Sequence, residues 1–414
     1  MLLSKIGLLV IGLAAAAVDA LLPLKPSVDS FYQPQPGFER LAPGTILKSR
    51  TIAPALLGLA PLPLQGWQLL YCTTALNGTP IATVTTIFKN PLVPVITGRF
   101  ISVQAPEDSS FVDCAPSYNY QLLAEQNNIL IALDALSFQS YLGQGYIVSS
   151  PDYESFDAAF GAGRLAGRGV LDSMRAVNNF ASTLGLQSSN NSIVGIGYSG
   201  GAFATSWAAS LQTAYAPELK IKGWSSGGIP ANLTGTALFL DNATASGFIP
   251  AVLTGLAKPN AYGTLLRQFL DRIATPAGRA VLDFTLRNCA PADLLNFYKK
   301  SVISKNFQIL GDRLYYTPPL STILTDNILG LEPAEVPTAP VNLYHGVLDE
   351  VVPYANVPTL FNNWCRQGGN VRFTSYAQLN HGDTGLNARG MVSQFVEQAF
   401  ADQVPPGCSS IVVQ

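Results

Sequence analysis

A serine between glycines, a histidine in a chain that has only two, and an acidic residue behind a run of strand-forming residues could together cleave an acyl bond. The serine is Ser199, in Gly197-Tyr198-Ser199-Gly200-Gly201. Ahead of it, Ser192-Ile193-Val194-Gly195-Ile196 has the β-branched character of a buried parallel strand. Behind it, residues 202–209 are rich in helix formers. A strand that turns sharply into a helix at G-x-S-x-G lifts the serine hydroxyl above a sheet. Glycines flank it because a Cβ there would strike neighbouring backbone. The Gly200 amide, opening the helix, then points to where an oxyanion would form.

A serine hydroxyl is a weak nucleophile until a base takes its proton, and the base needs an acid that fixes its tautomer. In α/β-hydrolases these groups follow in the order nucleophile, acid, base. With only His345 and His381 available, that order makes His381 the base and Asp349 the acid. His345 precedes Asp349 and is expected to bond nearby backbone and shape the acid's turn. Glu350 is a rival by chemistry alone; position after strand and turn favours Asp349. Asp383 is too close to His381 in the chain to brace it. The polar loop Gln104-Ala105-Pro106-Glu107-Asp108-Ser109 stands where this layout takes its second oxyanion amide.

The elements that must position these groups follow from periodicity. Residues 66–71 and 81–88 read as antiparallel strands, 94–96 and 100–103 as the next ones inward, and 146–150, 341–344 and 371–376 as further strands. Val170, Leu171, Met174, Val177 and Phe180 recur at helical spacing within 169–184, and a last helix is expected over 390–400. Alternating strand and helix gives an α/β class with a mainly parallel sheet. From Asn232 to about Thr317 the alternation stops. Apolar faces such as Phe248, Ile249, Val252 and Leu256 instead indicate helices, interrupted at Pro259 and Pro276. The expected organisation is a signal peptide over 1–20, a hydrolase core over 21–231, a helical lid insertion over 232–317 and the core again over 318–414. A lid of this kind covers an oily substrate and supplies its pocket wall. The proline-rich 22–36 is expected to be an extended surface arm.

Only 12% of the 414 residues are charged and 48% are apolar, against about 25% charged in an ordinary globular chain. A net charge of −2 without a basic stripe argues against nucleic acid or an anionic membrane as partner. Lys5, the apolar run 6–18 and Val18-Asp19-Ala20 form a secretory signal, too short for the ~20 residues that span a bilayer. The product is therefore expected to be extracellular, with Asn77, Asn190, Asn232 and Asn242 as glycosylation candidates. Five cysteines in an oxidising compartment suggest two disulfides and one thiol, without fixing the pairs. No zinc-binding spacing occurs, and no metal or cofactor is expected.

These residues resemble the fungal secretory lipase family (lipase A-like) from about residue 60 to residue 405. The likeness rests on the elbow, on Glu107-Asp108 with Asp113-Cys114-Ala115-Pro116-Ser117-Tyr118, on Tyr215-Ala216-Pro217-Glu218-Leu219 and on Asp349-Glu350-Val351-Val352-Pro353-Tyr354. The resemblance implies an α/β-hydrolase with a large helical lid that acts on acyl esters. It implies Ser199, Asp349 and His381 as nucleophile, acid and base, and Asp108 and Gly200 as oxyanion amides. It also implies disulfides Cys114 to Cys289 and Cys365 to Cys408, leaving Cys72 free. Departures at Pro106 and at Trp224-Ser225-Ser226 fall near the pocket that the resemblance implies. The expectation is a monomeric, secreted serine ester hydrolase, foremost a triacylglycerol lipase, taking an acyl ester or lipid, including lipid at an oil–water interface. Its rivals are an esterase or deacetylase for one small-molecule ester, a serine peptidase, and an inactive hydrolase-fold binding protein. The last usually lacks a triad member, and here all three are present.

Overall fold

Parallel strands are buried on both faces, so they need continuous apolar runs and helices above and below. A computed structural model describes residues 22–187 and 190–414; the expected signal peptide lies outside them. Among these residues ten strands form one sheet: β1 (Ile46–Ile52), β2 (Gln65–Thr74), β3 (Pro80–Lys89), β4 (Arg99–Gln104), β5 (Ile147–Pro151), β6 (Ser192–Tyr198), β7 (Lys220–Gly227), β8 (Val341–Gly346), β9 (Val371–Tyr376) and β10 (Ser409–Val413). Their spatial order is β1-β2-β3-β5-β4-β6-β7-β8-β9-β10. The first three are antiparallel, β3 meets β5 antiparallel, and every pairing from β5 to β10 is parallel. This is the mainly parallel α/β architecture the sequence indicates.

Register sets where the loops emerge. Gln104 at the end of β4 lies opposite Gly197, and Gly346 at the end of β8 lies opposite Tyr376. The loops carrying residues 108, 199, 349 and 381 therefore leave one carboxyl edge, where α/β sheets hold their ligands. Helices α1 (Gly163–Asn179) and α2 (Gly200–Tyr215) cover one face. They approach so closely that a Cβ on Gly163 would stand 2.0 Å from the Trp207 indole nitrogen, so glycine is required there. Trp207 itself is fully buried.

Between β7 and β8 the chain is helical: α3 (Leu233–Leu240), α4 (Phe248–Leu256), α5 (Gly263–Ile273), α6 (Pro276–Thr285), α7 (Ala290–Asn296) and α8 (Leu320–Asp326). Proline punctuates as its chemistry dictates: Pro259 follows the end of α4, and Pro276 sits in the first turn of α6, where no amide donor is needed. The helical stretch runs past residue 317, and the sheet resumes only at Val341. Cys114, just after the β4 loop, is bonded to Cys289 at the start of α7, with a sequence separation of 175. In the chain-entropy account, closing a loop that long stabilises by about 5 kcal/mol. Cys365 is bonded to Cys408, tying the helix that precedes β9 to the edge strand β10. Cys72 is free and buried.

Three local expectations differ from the structure. Residues 94–96 are not a strand: Pro94 has no amide to give a ladder, and the Ile96 amide bonds the Gly145 carbonyl instead, at 2.9 Å. Residues 22–36 are not an extended surface arm throughout, because Phe31 and Tyr32 form a buried 3₁₀ turn with the Arg50 guanidinium 4.1 Å over the Phe31 ring. The helix expected over 169–184 begins earlier, at Gly163, and a separate turn covers Ala181–Leu184. Of the sequons, Asn77, Asn190 and Asn242 are exposed. Asn232 is half-buried, and its side chain caps α3 by accepting the Gly235 amide at 3.1 Å.

Candidate active site

The elbow is built by backbone constraint. Ser199 has φ 55° and ψ −125°, a conformation that L-residues avoid, and its amide is tied to the Gly227 carbonyl at 2.8 Å. A Cβ on Gly197 would stand 2.3 Å from the Gly201 carbonyl oxygen, so the turn closes only with glycine there. Thr205, one turn into α2, donates to the Gln104 side chain at 2.7 Å and locks the β4 end to the elbow.

Ser199, Asp349 and His381 come together. The Ser199 Oγ lies 3.0 Å from His381 Nε2, and His381 Nδ1 lies 2.7 Å from Asp349 Oδ2. Both are hydrogen-bonding distances. The imidazole is held from several sides: Tyr198 donates its phenol to the His381 carbonyl at 2.5 Å, its ring packs at 5.1 Å between centroids, and Asn380 caps the helix that begins at His381. Glu350, the rival acid, faces elsewhere and accepts the His381 backbone amide at 3.0 Å. Asp383 is exposed in the following turn.

The Asp349 carboxylate is surrounded by donors. Its Oδ1 accepts the amides of Val351 at 2.9 Å and Val352 at 2.7 Å. Its Oδ2 receives His381, and His345 Nε2 stands 3.1 Å away on the other side. Burial alone would raise this carboxyl, but hydrogen bonds from His345 and His381 outweigh it and hold the group well below the usual carboxylate range. His345 is fully buried and also lies 3.1 Å from the Val352 carbonyl. It supports the acid's turn and in addition reaches the acid itself. Nε2 faces two oxygens while Nδ1 has no partner, which makes Nε2 the nitrogen that donates.

On the other side of Ser199 the β4 loop brings in Asp108, at φ 49°. Its Oδ1 presses so close to Gly200 that a Cβ there would sit 1.7 Å away. This oxygen is buried without a partner in the protein, and burial pushes the Asp108 carboxyl up to about 7. Next to Asp108 in the chain, Glu107 faces two buried acids that sequence reasoning did not single out as site residues, Asp152 and Glu154 after β5. Burial raises all three, Asp152 to about 7, and neither Glu154 oxygen makes a hydrogen bond, although the Asp108 and Ser109 amides lie near enough to ease its ionisation. The signal available was geometric: β4 and β5 are neighbours, so Glu107-Asp108 and Asp152-Tyr153-Glu154 leave the sheet side by side.

A narrow pocket opens at Ser199, Gly200 and Asp108 and runs between the core and α3 and α4, walled by side chains such as Phe160, Phe203, Leu240 and Val252. Neither Pro106 nor Trp224-Ser225-Ser226 lines it. Trp224 lies against Gly195, where a Cβ would meet its ring at 2.3 Å, and the stretch it opens reaches the site only at Gly228, where a Cβ would stand 3.0 Å from the His381 ring. An activated hydroxyl at the mouth of an apolar slot, facing the Gly200 amide, is suited to acyl transfer.

The secretory lipase family model matches residues 120–406. A secreted triacylglycerol lipase of Malassezia furfur is 38% identical over 386 residues, covering 92% of this chain and 77% of that one. A secreted triacylglycerol lipase of Malassezia globosa is 35% identical, covering 92% and 80%. Lipase A of Candida antarctica in its closed state superposes with a TM-score of 0.84 at 31% identity, covering 93% of this chain and 88% of that one. A rice cell wall degrading esterase of Xanthomonas oryzae shares the fold at 14% identity, with a TM-score of 0.62 over 88% and 98% of the two chains. With a family model spanning most of its length and relatives matched over nine-tenths of it, this chain belongs to the secretory lipase family, on the α/β-hydrolase fold.

Proposed function

We propose that the protein is a secreted lipase that hydrolyses triacylglycerol through an acyl-enzyme on Ser199. The reading is carried by one observation: a Ser199–His381–Asp349 relay, linked at 3.0 and 2.7 Å, opens directly onto an apolar pocket. Its relatives are named secreted triacylglycerol lipases, and two disulfides suit an oxidising compartment. Among the described residues no helix is long and apolar enough to cross a membrane.

In this mechanism Ser199 Oγ bonds to the ester carbon while His381 Nε2 takes its proton. Asp349 holds the imidazole and balances its positive form. The Gly200 amide, joined by that of Asp108, holds the oxyanion. Collapse breaks the bond to the alkoxy oxygen, which leaves as the alcohol with the proton from His381. Water then repeats the sequence on the acyl carbon and frees the acid. The helices of 232–317, with α8, act as a lid: α3 and α4 wall the acyl pocket, and the Cys114–Cys289 bond anchors the far part of the insertion beside the Asp108 loop.

The test is a hydrolysis profile of the secreted full chain over soluble short-chain esters and emulsified long-chain triacylglycerols. Hydrolysis of the emulsions, with Ser199 labelled by a fluorophosphonate, is expected. Turnover confined to acetate esters identifies a dedicated esterase; no labelling of Ser199 refutes the reading.

A further inference from the structure

The acyl pocket is not the only cavity that α4 borders. On another side of that helix a second one, of about 30 Å³ against about 80 Å³ for the acyl pocket, lies inside the helical insertion. Its walls include Leu270 and Ile273 on α5, Val281 and Leu282 on α6, and Phe297 and Phe307 beyond them. The polar side chain in this lining, Gln308, is already satisfied. Its oxygen accepts the amides of Leu310 at 2.6 Å and Gly311 at 3.0 Å, and its nitrogen donates to the Gly311 carbonyl at 2.9 Å. A cavity so lined offers nothing to water.

Leu253 on α4, 4% exposed, belongs to the lining of both cavities. At about 100° per residue, Phe248, Ile249 and Val252 fall on the face toward the acyl pocket and Pro250 on the face toward the second cavity, with Leu253 between Ile249 and Pro250. The 3₁₀ turn Gly311–Tyr316 divides in the same way, Tyr315 lining the acyl pocket and Leu314 the cavity behind it. At Leu253 the partition is therefore one side chain thick. The helix that carries it is pinned: a Cβ on Gly255 would stand 2.4 Å from the Phe160 carbonyl oxygen, and the Thr254 hydroxyl meets those of Ser110 at 2.7 Å and Thr285 at 2.8 Å. Space opened at residue 253 is then not closed by a shift of α4.

We propose that Leu253 is a specificity-determining residue that ends the acyl pocket: its side chain stops the acyl chain, and its size sets the longest chain accepted. The inference rests on the reading of the protein as an acyl-ester hydrolase and deepens it. The second cavity is too small to hold an acyl tail alone; joined to the first, it lengthens the slot. In a close-packed interior each carbon removed from Leu253 makes room for about one substrate carbon, and the cavity behind adds to that.

The test follows kcat/KM of the secreted full chain over nitrophenyl esters of straight saturated acids of rising length. For the wild type the value is expected to climb by about fourfold for each carbon buried, and to fall beyond one length. Leu253→Ala should move that break to acids longer by about three carbons or more, and Leu253→Val, which disturbs folding less, by about one. Val281→Phe fills the second cavity from its opposite wall, and added to Leu253→Ala it should bring the break back toward the wild-type length. A wild-type profile without a break overturns the proposal, as do Leu253 variants that both break where the wild type does. So does a Leu253→Ala shift that Val281→Phe leaves whole. Lost packing alone would lower kcat/KM at every length and leave the break in place, which also counts against the partition. A wild type that hydrolyses no ester of the series counts instead against the ester-hydrolase reading beneath it, so the two failures are told apart.

Discussion

Two aspartates flank Ser199, both almost wholly buried, and they stand in opposite states. Asp349 has two backbone amides on one oxygen and two histidines near the other, and stays ionised well below the usual range. Asp108 has one oxygen with no partner, and burial pushes it up to about 7. Burial drives both carboxyls the same way; the supply of donors decides which remains an anion. On the side of the proposed acid the fold favours a carboxylate, the charge that an imidazolium in the proposed relay would need. On the proposed oxyanion side burial favours the protonated carboxyl up to about pH 7, which spares the site part of a second negative charge.

The largest effects test whether the charged side drives the chemistry. Ser199→Ala removes the nucleophile and is expected to lower kcat on the order of 10⁶-fold, with loss of fluorophosphonate labelling and an unmoved melting curve. Asp349→Asn keeps the shape but offers His381 an amide in place of an anion, selecting the wrong tautomer. A loss of about 10⁴-fold in kcat is expected. If the Asn variant retains activity within a few-fold, the anion at this position is not what the relay needs.

Much of the acid's side was legible in the sequence because its constraints are local and scarce. A G-x-S-x-G between a strand and a helix, and two histidines in the whole chain, leave little choice. The opposite side was less legible. Asp152 and Glu154 meet Glu107 only because β5 crosses to lie beside β4, and strand order is not written in any one segment. The same holds for β7, whose Trp224-Ser225-Ser226 could be placed only near the pocket until its neighbours β6 and β8 are known. The edge strands β1 and β10 carry mixed polar sequence, Ile46-Leu47-Lys48-Ser49-Arg50-Thr51-Ile52 and Ser409-Ser410-Ile411-Val412-Val413, and are recognised by pairing rather than by pattern.

Smaller effects probe the neutral side. Gly200→Ala forces a Cβ onto Asp108 Oδ1, so the Asp108 loop must shift away from the oxyanion. A drop in kcat of roughly 10²- to 10³-fold is expected, the worth of one donor, with KM for a short soluble ester changing less. Acidity offers a gentler probe. The folded state keeps the Asp108 proton up to about 7, against an ordinary value of 3.8. Its contribution to stability is therefore full at low pH and is lost as pH rises from about 4 through about 7. Asp349 runs the other way: its contribution is present above 3.8 and is lost as pH falls through its depressed value. Asp134, raised by burial to about 7, and Asp293, raised to about 8, add to the first trend. Melting temperature should fall between about pH 5 and pH 8, and Asp108→Asn, which mimics the protonated form, should reduce that fall without removing it. An Asn variant with an unchanged slope would place the Asp108 proton elsewhere.

The finest distinction concerns His345, because it asks whether donors beyond the relay matter to Asp349. Its Nε2 lies 3.1 Å from both the Val352 carbonyl oxygen and Asp349 Oδ2, so its proton is shared between them. Removing that donor leaves Oδ2 to His381 alone, makes the carboxylate more basic, and strengthens its hold on the protonated imidazole. Since the base works only when deprotonated, His345→Leu should move the acidic limb of the kcat/KM profile to higher pH. The shift should stay below about one unit, because one unit equals 1.36 kcal/mol and a shared hydrogen bond transmits only part of its worth. His345→Gln can present its amide nitrogen near the place of Nε2 and should bring the limb back toward the wild type. Loss of packing alone would lower activity at every pH and leave the limb where it was. A limb that does not move in the Leu variant would mean that two amides and one histidine already saturate Asp349, and the contrast with Asp108 would then rest on those three donors.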